Sequence, residues 1–146
     1  MQYNKDTSIG YALTVTLNTL RKNFNKEIKK YGISSEQYGV MKIISDEPST
    51  PTKIAEILHR DKATITRIIK SLENKNLIKK EKINNRSFLI KLSKEGKEIL
   101  NQAEAIAVKY YSTIIDKVGE EDIKHLLNTL KQIRELFKGN KWKKYF

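Results

Sequence analysis

Apolar residues recur at helical spacing through most of this chain. Between Ser8 and Tyr31 they fall at Leu13, Leu17, Leu20, Phe24, Ile28 and Tyr31, three or four apart, which predicts a helix whose single apolar stripe needs a partner. Gly32 ends that segment, and Ser34 followed three residues later by Gln37 predicts a capping box that opens a second helix with Tyr38, Met41 and Ile44 turned inward. The run DEPSTP breaks the pattern. Thr50 and Pro51 then read as the N-cap and first residue of a short third helix, PTKIAEILH, with Ile54, Ala55 and Leu58 apolar.

The next stretch, DKATITRIIKSLENKNLIKK, has the cleanest stripe of all. Ile65, Ile68, Ile69 and Leu72 fall at i, i+3, i+4 and i+7, so one face is predicted to be buried. At 100° per residue the opposite face collects Ala63, Arg67, Lys70 and Asn74, flanked by Lys62, Thr64, Thr66 and Ser71, and it contains no acid. Asp61 is placed to cap this fourth helix, and Asn76 can take the left-handed conformation that stops it. IKKEKI and SFLIKL are strand-like, and the second alternates Phe88, Ile90 and Leu92 against Ser87, Leu89 and Lys91. Asn84 and Asn85 between them tolerate positive φ, so a tight hairpin with Arg86 near its tip is expected. Ser93 can cap a long helix from about Lys94 to Val118, and GEED opens a last helix through Leu126, Leu127, Leu130, Ile133 and Phe137.

Charge sharpens this picture. The formal net charge is +12, which points to a polyanionic partner, either nucleic acid or an anionic membrane surface. From Pro51 to Lys97 there are 13 basic and 5 acidic residues, net +8, which leaves only +4 for the rest of the chain. Three of the five arginines, Arg60, Arg67 and Arg86, lie in that segment, a bias that lysine-rich composition does not produce. The absence of cysteine excludes disulfides, thiolate metal sites and thiol redox sensing. No run of 18 apolar residues occurs and the N-terminal stretch lacks a signal-peptide pattern, so no membrane association is expected and the protein is expected to be cytoplasmic.

A short helix, a tight turn, a helix with a polar basic face and a basic hairpin, in that order, make a winged helix-turn-helix. A major groove admits one α-helix, and the preceding helix props it against the phosphates. Short Ala63, Thr64 and Thr66 permit close approach to base edges, Arg67 can reach guanine or phosphate, and Lys62 and Lys70 suit phosphates. In the wing, Lys82, Asn84, Asn85 and Arg86 are the candidate DNA contacts, with Arg86 suited to a narrow minor groove.

At these residues the chain resembles the MarR family of transcription regulators. GISSEQYGVM is similar to the segment entering the family's second helix, ATITRIIKSLENKNLIKK to its reading helix, and NNRSFLIKLSKEG to its wing motif, D-x-R, a strand, then L-T-x-x-G. The resemblance implies that Arg86 is the wing arginine that contacts DNA and that Ser93 replaces threonine as a helix cap. Asn84 stands where the motif has Asp, which would turn a salt bridge to the wing arginine into a neutral hydrogen bond, and Asn76 stands where glycine is usual. It further implies a homodimer built by N- and C-terminal helices, with residues 1–31 and 97–146 for dimerisation around a DNA-binding region at 32–96. Those outer helices carry more apolar surface than a small winged core can cover, although packing within one chain would also serve. The ending KGNKWKKYF, with Trp142, Tyr145 and Phe146, can seal a dimer or fray.

The expected architecture is therefore mainly α with a small β-hairpin wing, and the expected function is a sequence-specific regulator, in all expectation a repressor, binding a pseudo-palindromic operator. An architectural protein that binds DNA without sequence preference is the alternative, against which stand the short Thr and Ala residues on the reading face. A protein or RNA interaction module would need a flat apolar patch in place of that stripe. No enzyme chemistry is expected, because His59 and His125 lie in different elements without patterned nucleophile or carboxylate partners. Neither a metal nor a cofactor is expected. Family members are often released from DNA by a small aromatic or amphipathic effector, and Tyr11, Tyr31, Tyr38, Tyr110 and Tyr111 are candidates for the border of such a cleft, with ordinary core packing as the competing role.

Overall fold

The computed structural model describes residues 4–146, so the start of the expected N-terminal region, residues 1–3, lies outside the described residues. The chain divides into two compact units, residues 1–107 and 108–146.

The first unit begins with α1 (Ile9–Ile28), capped by the Ser8 hydroxyl, which accepts from the Tyr11 N–H. The predicted helix was continuous to Tyr31, but the α-helix ends at Ile28 and tightens into a 3-10 turn over Lys29–Tyr31. Gly32 follows in the left-handed region at φ 76°, where a side chain would strain the backbone. Helix α2 (Ser35–Asp46) opens on the expected capping box: the Gln37 N–H donates to the Ser34 hydroxyl, and Gln37 Oε1 accepts from the Ser34 N–H. Helix α3 (Pro51–Leu58) carries the Thr50 cap and ends at His59, which takes a left-handed φ of 51°. Helix α4 (Lys62–Asn74) starts on the Asp61 cap and exits through Asn76 at φ 58°, as its sequence predicts.

Strands β1 (Ile78–Asn84) and β2 (Ser87–Leu92) form the antiparallel hairpin. Its turn is tight, but neither Asn84 nor Asn85 uses positive φ. The irregularity is taken up instead by a break in register between Lys82 and Asn84, which bends the strand end. DEPSTP is not only a break: Ser49 pairs with Ile90, each N–H donating to the other's carbonyl, so one residue of that loop ties the wing to the helices. Helix α5 (Lys94–Val118) then begins at Ser93.

The core of this unit is one apolar cluster. Ile28, Val40, Met41, Ile44, Ile54, Ile65, Leu72 and Ile90 are almost wholly buried. Each side chain of that size contributes about 1.5–3 kcal/mol by leaving water, and together they hold α4 by its apolar stripe. The upper part of α1 does not join them. Phe24 and Ile28 are buried, whereas Leu13, Leu17 and Leu20 are 43–45% exposed, so the N-terminal half of its predicted stripe is uncovered in this chain.

In the second unit α6 (Glu120–Leu136) opens at Gly119 and buries Ile123, while Leu126, Leu127 and Phe137 stay exposed. The ending is folded: a 3-10 segment, Lys138–Tyr145, turns at Gly139 and Asn140, and Trp142 contacts Phe137 and Phe146 at ring-centroid distances of 6.1 and 5.3 Å. Among the described residues no helix is long and apolar enough to cross a membrane.

Candidate nucleic-acid interface

The interface is set by which side of α4 the core takes. Ile65, Ile68, Ile69 and Leu72 are buried, so Lys62, Ala63, Thr66, Arg67 and Lys70 are exposed on the other side. Thr64 is only half-exposed, because its side chain belongs to the helix cap. Its hydroxyl donates to Asp61 Oδ1 at 2.6 Å while its backbone N–H donates to Asp61 Oδ2 at 2.9 Å. That leaves a methyl group and a spare lone pair for any outside partner, so its expected role narrows to an apolar or accepting contact. The two bonds, the hydroxyl's first, hold the Asp61 carboxyl below its ordinary range and fix the helix start.

Charges in this region fall into two sets. Arg60 donates to Glu36 at 3.0 Å, Lys80 pairs with Glu73 at 3.1 Å while lying over the Phe88 ring, and Lys91 pairs with Glu81 at 3.0 Å. Such half-exposed pairs stabilise by about 0–1 kcal/mol, but they withdraw those cations from competition for an outside anion. Lys62, Arg67, Lys70, Lys82 and Arg86 are all exposed, and among the described residues none of them is in an ion pair. These five free cations sit on the outer face of α4 and toward the tip of the wing.

At that tip Asn85 and Arg86 form the turn. The Arg86 backbone N–H donates to Asn84 Oδ1 at 2.8 Å. This corrects the expected bond to the guanidinium: Asn84 holds the arginine's backbone and leaves its side chain free. The far end of the wing is fastened just as firmly. Ser93 Oγ donates to the Asn76 carbonyl at 2.7 Å and accepts from the Gly96 N–H at 3.0 Å, so one hydroxyl joins the exit of α4 to the entry of α5.

Sequence reasoning missed the reach of Gln37. Beyond its capping bond, its Nε2 donates to Ser71 Oγ at 2.8 Å, and its Oε1 also accepts from Lys75 Nζ at 3.0 Å. Ser71, expected on the flank of the polar face, instead turns toward α2. The capping-box pattern was the only signal at Gln37, and it carries no information about contacts more than thirty residues away.

The tyrosines proposed for an effector cleft do not share one environment. Tyr38 is half-buried against Phe24, edge to face at 5.2 Å. Burial first, and then Glu104, raise its pKa above the ordinary phenol value. Beside it Lys42 donates to Glu104 at 2.6 Å. Tyr11 is exposed and lies about 20 Å along α1 from Phe24 at 1.5 Å rise per residue. Tyr31 is half-buried beneath Lys30; in the other unit Tyr110 is half-buried and Tyr111 exposed.

Known proteins resemble this arrangement. The model of the MarR family matches residues 33–87, the span from the entry of α2 to the wing tip. The HTH-type transcriptional regulator TcaR of Staphylococcus aureus (strain Newman) is 29% identical over 127 residues, which cover 84% of each chain. Among solved structures, the MepR–DNA complex of S. aureus superposes with a TM-score of 0.81 at 18% identity, covering 90% of this chain and 98% of that one. CouR from Rhodococcus jostii RHA1 bound to p-coumaroyl-CoA gives 0.79, also at 18% identity, covering 94% of this chain and 98% of that one. At those identities the structural likeness is one of fold.

Proposed function

We propose that this chain, whose residues 33–87 match the model of the MarR family of transcriptional regulators, is a repressor of that family that binds a pseudo-palindromic operator as a homodimer in the cytoplasm. The observation that carries this reading is the separation of charges just described. Lys62, Arg67 and Lys70 on α4, with Lys82 and Arg86 on the wing, are exposed and unpaired among the described residues, while Arg60, Lys80 and Lys91 are held in ion pairs. Ala63, Thr64 and Thr66 approach base edges, Arg67 reads a base, and Lys62 and Lys70 hold phosphates. Lys82, Asn84, Asn85 and Arg86 follow the backbone toward the adjacent minor groove. That the solved MepR structure of like fold is a DNA complex is consistent with DNA binding by this fold.

The division of labour in this proposal places DNA binding in residues 32–96 and dimerisation in 1–31 and 97–146. Its support is the uncovered stripe of Leu13, Leu17 and Leu20 on α1 together with Leu126, Leu127 and Phe137 near the other end of the chain. A small aromatic or amphipathic effector releases the operator by binding better to a spacing of the two reading helices that does not fit DNA, since only differential affinity shifts the equilibrium. Of the tyrosines Tyr11, Tyr31, Tyr38, Tyr110 and Tyr111, Tyr38 has the strongest case, because it is half-buried against Phe24 and within electrostatic reach of the Lys42–Glu104 pair.

The test is a selection from random duplexes by the protein itself, followed by anisotropy titrations against a shuffled control at several salt concentrations. An enriched inverted repeat with half-sites about one helical turn apart, bound at least about a thousandfold more tightly than the control, is the expected result. Equal affinity for both duplexes with the same steep salt dependence would instead make the protein an architectural one.

A further inference from the structure

Away from the reading face, a groove of about 480 Å³ opens between the end of α1, the start of α2 and the end of α4. Its charge is one-sided. Lys22, Lys26 and Lys29 line it from α1 and the turn that follows, at i, i+4 and i+7, so they form one stripe. Lys75 closes it from the exit of α4. All four are exposed, no carboxylate lines the groove, and among the described residues none of the four is in an ion pair.

The groove is also built, in the sense that its far wall is hydrogen-bonded into place. Lys75 Nζ donates to the Gly32 carbonyl at 2.6 Å and to Gln37 Oε1 at 3.0 Å. Asn25 Oδ1 accepts from the Ser35 N–H at 2.6 Å, joining α1 to α2. The N–H groups of Ser34, Ser35 and Gln37 are already engaged by Gln37, Asn25 and Ser34, and the positive charge that a ligand would meet comes from the four ammonium groups.

We propose that this groove binds a small, multiply charged phosphate compound. Four flexible point charges around an open concavity suit a polyphosphate, whose oxygens accept from several directions, better than a single planar carboxylate. No aromatic ring lines the open groove to stack a base or an aromatic acid. The site has a direct line to the reading helix. A phosphate that draws Lys75 away from Gly32 and Gln37 frees Gln37 to change its bond to Ser71 in α4. Lys75 is also about 12 Å along the helix from Arg67, at 1.5 Å per residue, beyond the half that enters a groove.

The test uses the full-length protein with isotopically labelled lysine side chains, titrated with inorganic triphosphate and, at matched ionic strength, with sodium sulfate. The expected result is saturable shifts at Lys22, Lys26, Lys29 and Lys75 with triphosphate. A variant carrying Lys22→Gln, Lys26→Gln and Lys29→Gln, which keeps good helix formers, should bind at least about tenfold more weakly. The same circular dichroism and melting temperature as the parent would show that this loss is not unfolding. Shifts spread evenly over all lysines and linear in concentration would overturn the proposal as general screening. It would equally be overturned if the triple variant kept its triphosphate affinity, or if no triphosphate bound and the variant lost only duplex DNA affinity, which would make the groove part of the DNA backbone path. None of these readouts requires a specific operator, so failure here is distinct from failure of the regulator reading.

Discussion

Gly96, in the first turn of α5, lies against the carbonyl of Leu77 so closely that a β-carbon there would fall far inside van der Waals contact with that oxygen. The obstacle is backbone, which cannot swing aside as a side chain would. Leu77 in turn accepts from the Ser93 N–H at 3.0 Å, so the exit of the reading helix, the base of the wing and the start of α5 meet at this one point. Gly96→Ala is expected to destabilise the fold by at least about 1–3 kcal/mol, the usual cost of overpacking. Urea unfolding measures it, and a change below about 0.5 kcal/mol would show that the two segments separate freely.

Arg67→Ala should cost roughly 1–3 kcal/mol in operator binding and relax preference at one base position. Titration against a panel of single-base operator variants reads both effects. A loss of the same size on every sequence would make Arg67 a phosphate contact.

Arg86→Ala should weaken binding most on operators with AT-rich flanks, where the minor groove is narrow. Because Asn84 bonds the backbone of Arg86, the turn itself should survive the substitution. Matched operators with AT-rich and GC-rich flanks are the comparison, and equal losses on the two would remove the minor-groove contact.

Leu17→Glu places a charge in the middle of the uncovered stripe of α1, where Leu17 is 45% exposed in the single chain. Light scattering should find the variant monomeric and the parent dimeric, with operator affinity reduced in step. A parent that is already monomeric at micromolar concentration would refute the dimer.

The Asp61 carboxyl is held below its ordinary value of 3.8 by the Thr64 hydroxyl and then the Thr64 N–H. A depressed folded-state pKa means the cap's contribution is fully present above the unfolded-state value and fades as pH falls through the folded one. A carbon-detected NMR titration should therefore place the Asp61 midpoint below 3.8, and Thr64→Val, which removes the larger cause, should move it upward. An unchanged midpoint in the variant would show that the hydroxyl bond does not set the titration.

Much of this molecule was readable along the chain because the determining interactions are local. The Ser34–Gln37 box, the Asp61 cap and the left-handed Asn76 each involve residues within about one helical turn, and the stripe of Ile65, Ile68, Ile69 and Leu72 already states which face of α4 is buried. Periodicity could not say what covers a stripe, so Leu13, Leu17 and Leu20 looked like Ile28 until the fold left them exposed. The selection of functional charges was equally hidden. Arg60 and Arg67 are both arginines in one basic segment, but Glu36, 24 residues before Arg60, takes the first and leaves the second free. Ser71 and Thr64 both read as polar flanks of the reading helix, but Thr64 is tied locally to Asp61, whereas the fold turned Ser71 toward Gln37, 34 residues away. Local sequence therefore determined the elements, their caps and the sign of the charge they present. Only the tertiary structure decided that Arg60 is paired and that Ser71 is bonded away from the reading face, because Glu36 and Gln37 reach them from 24 and 34 positions earlier in the chain.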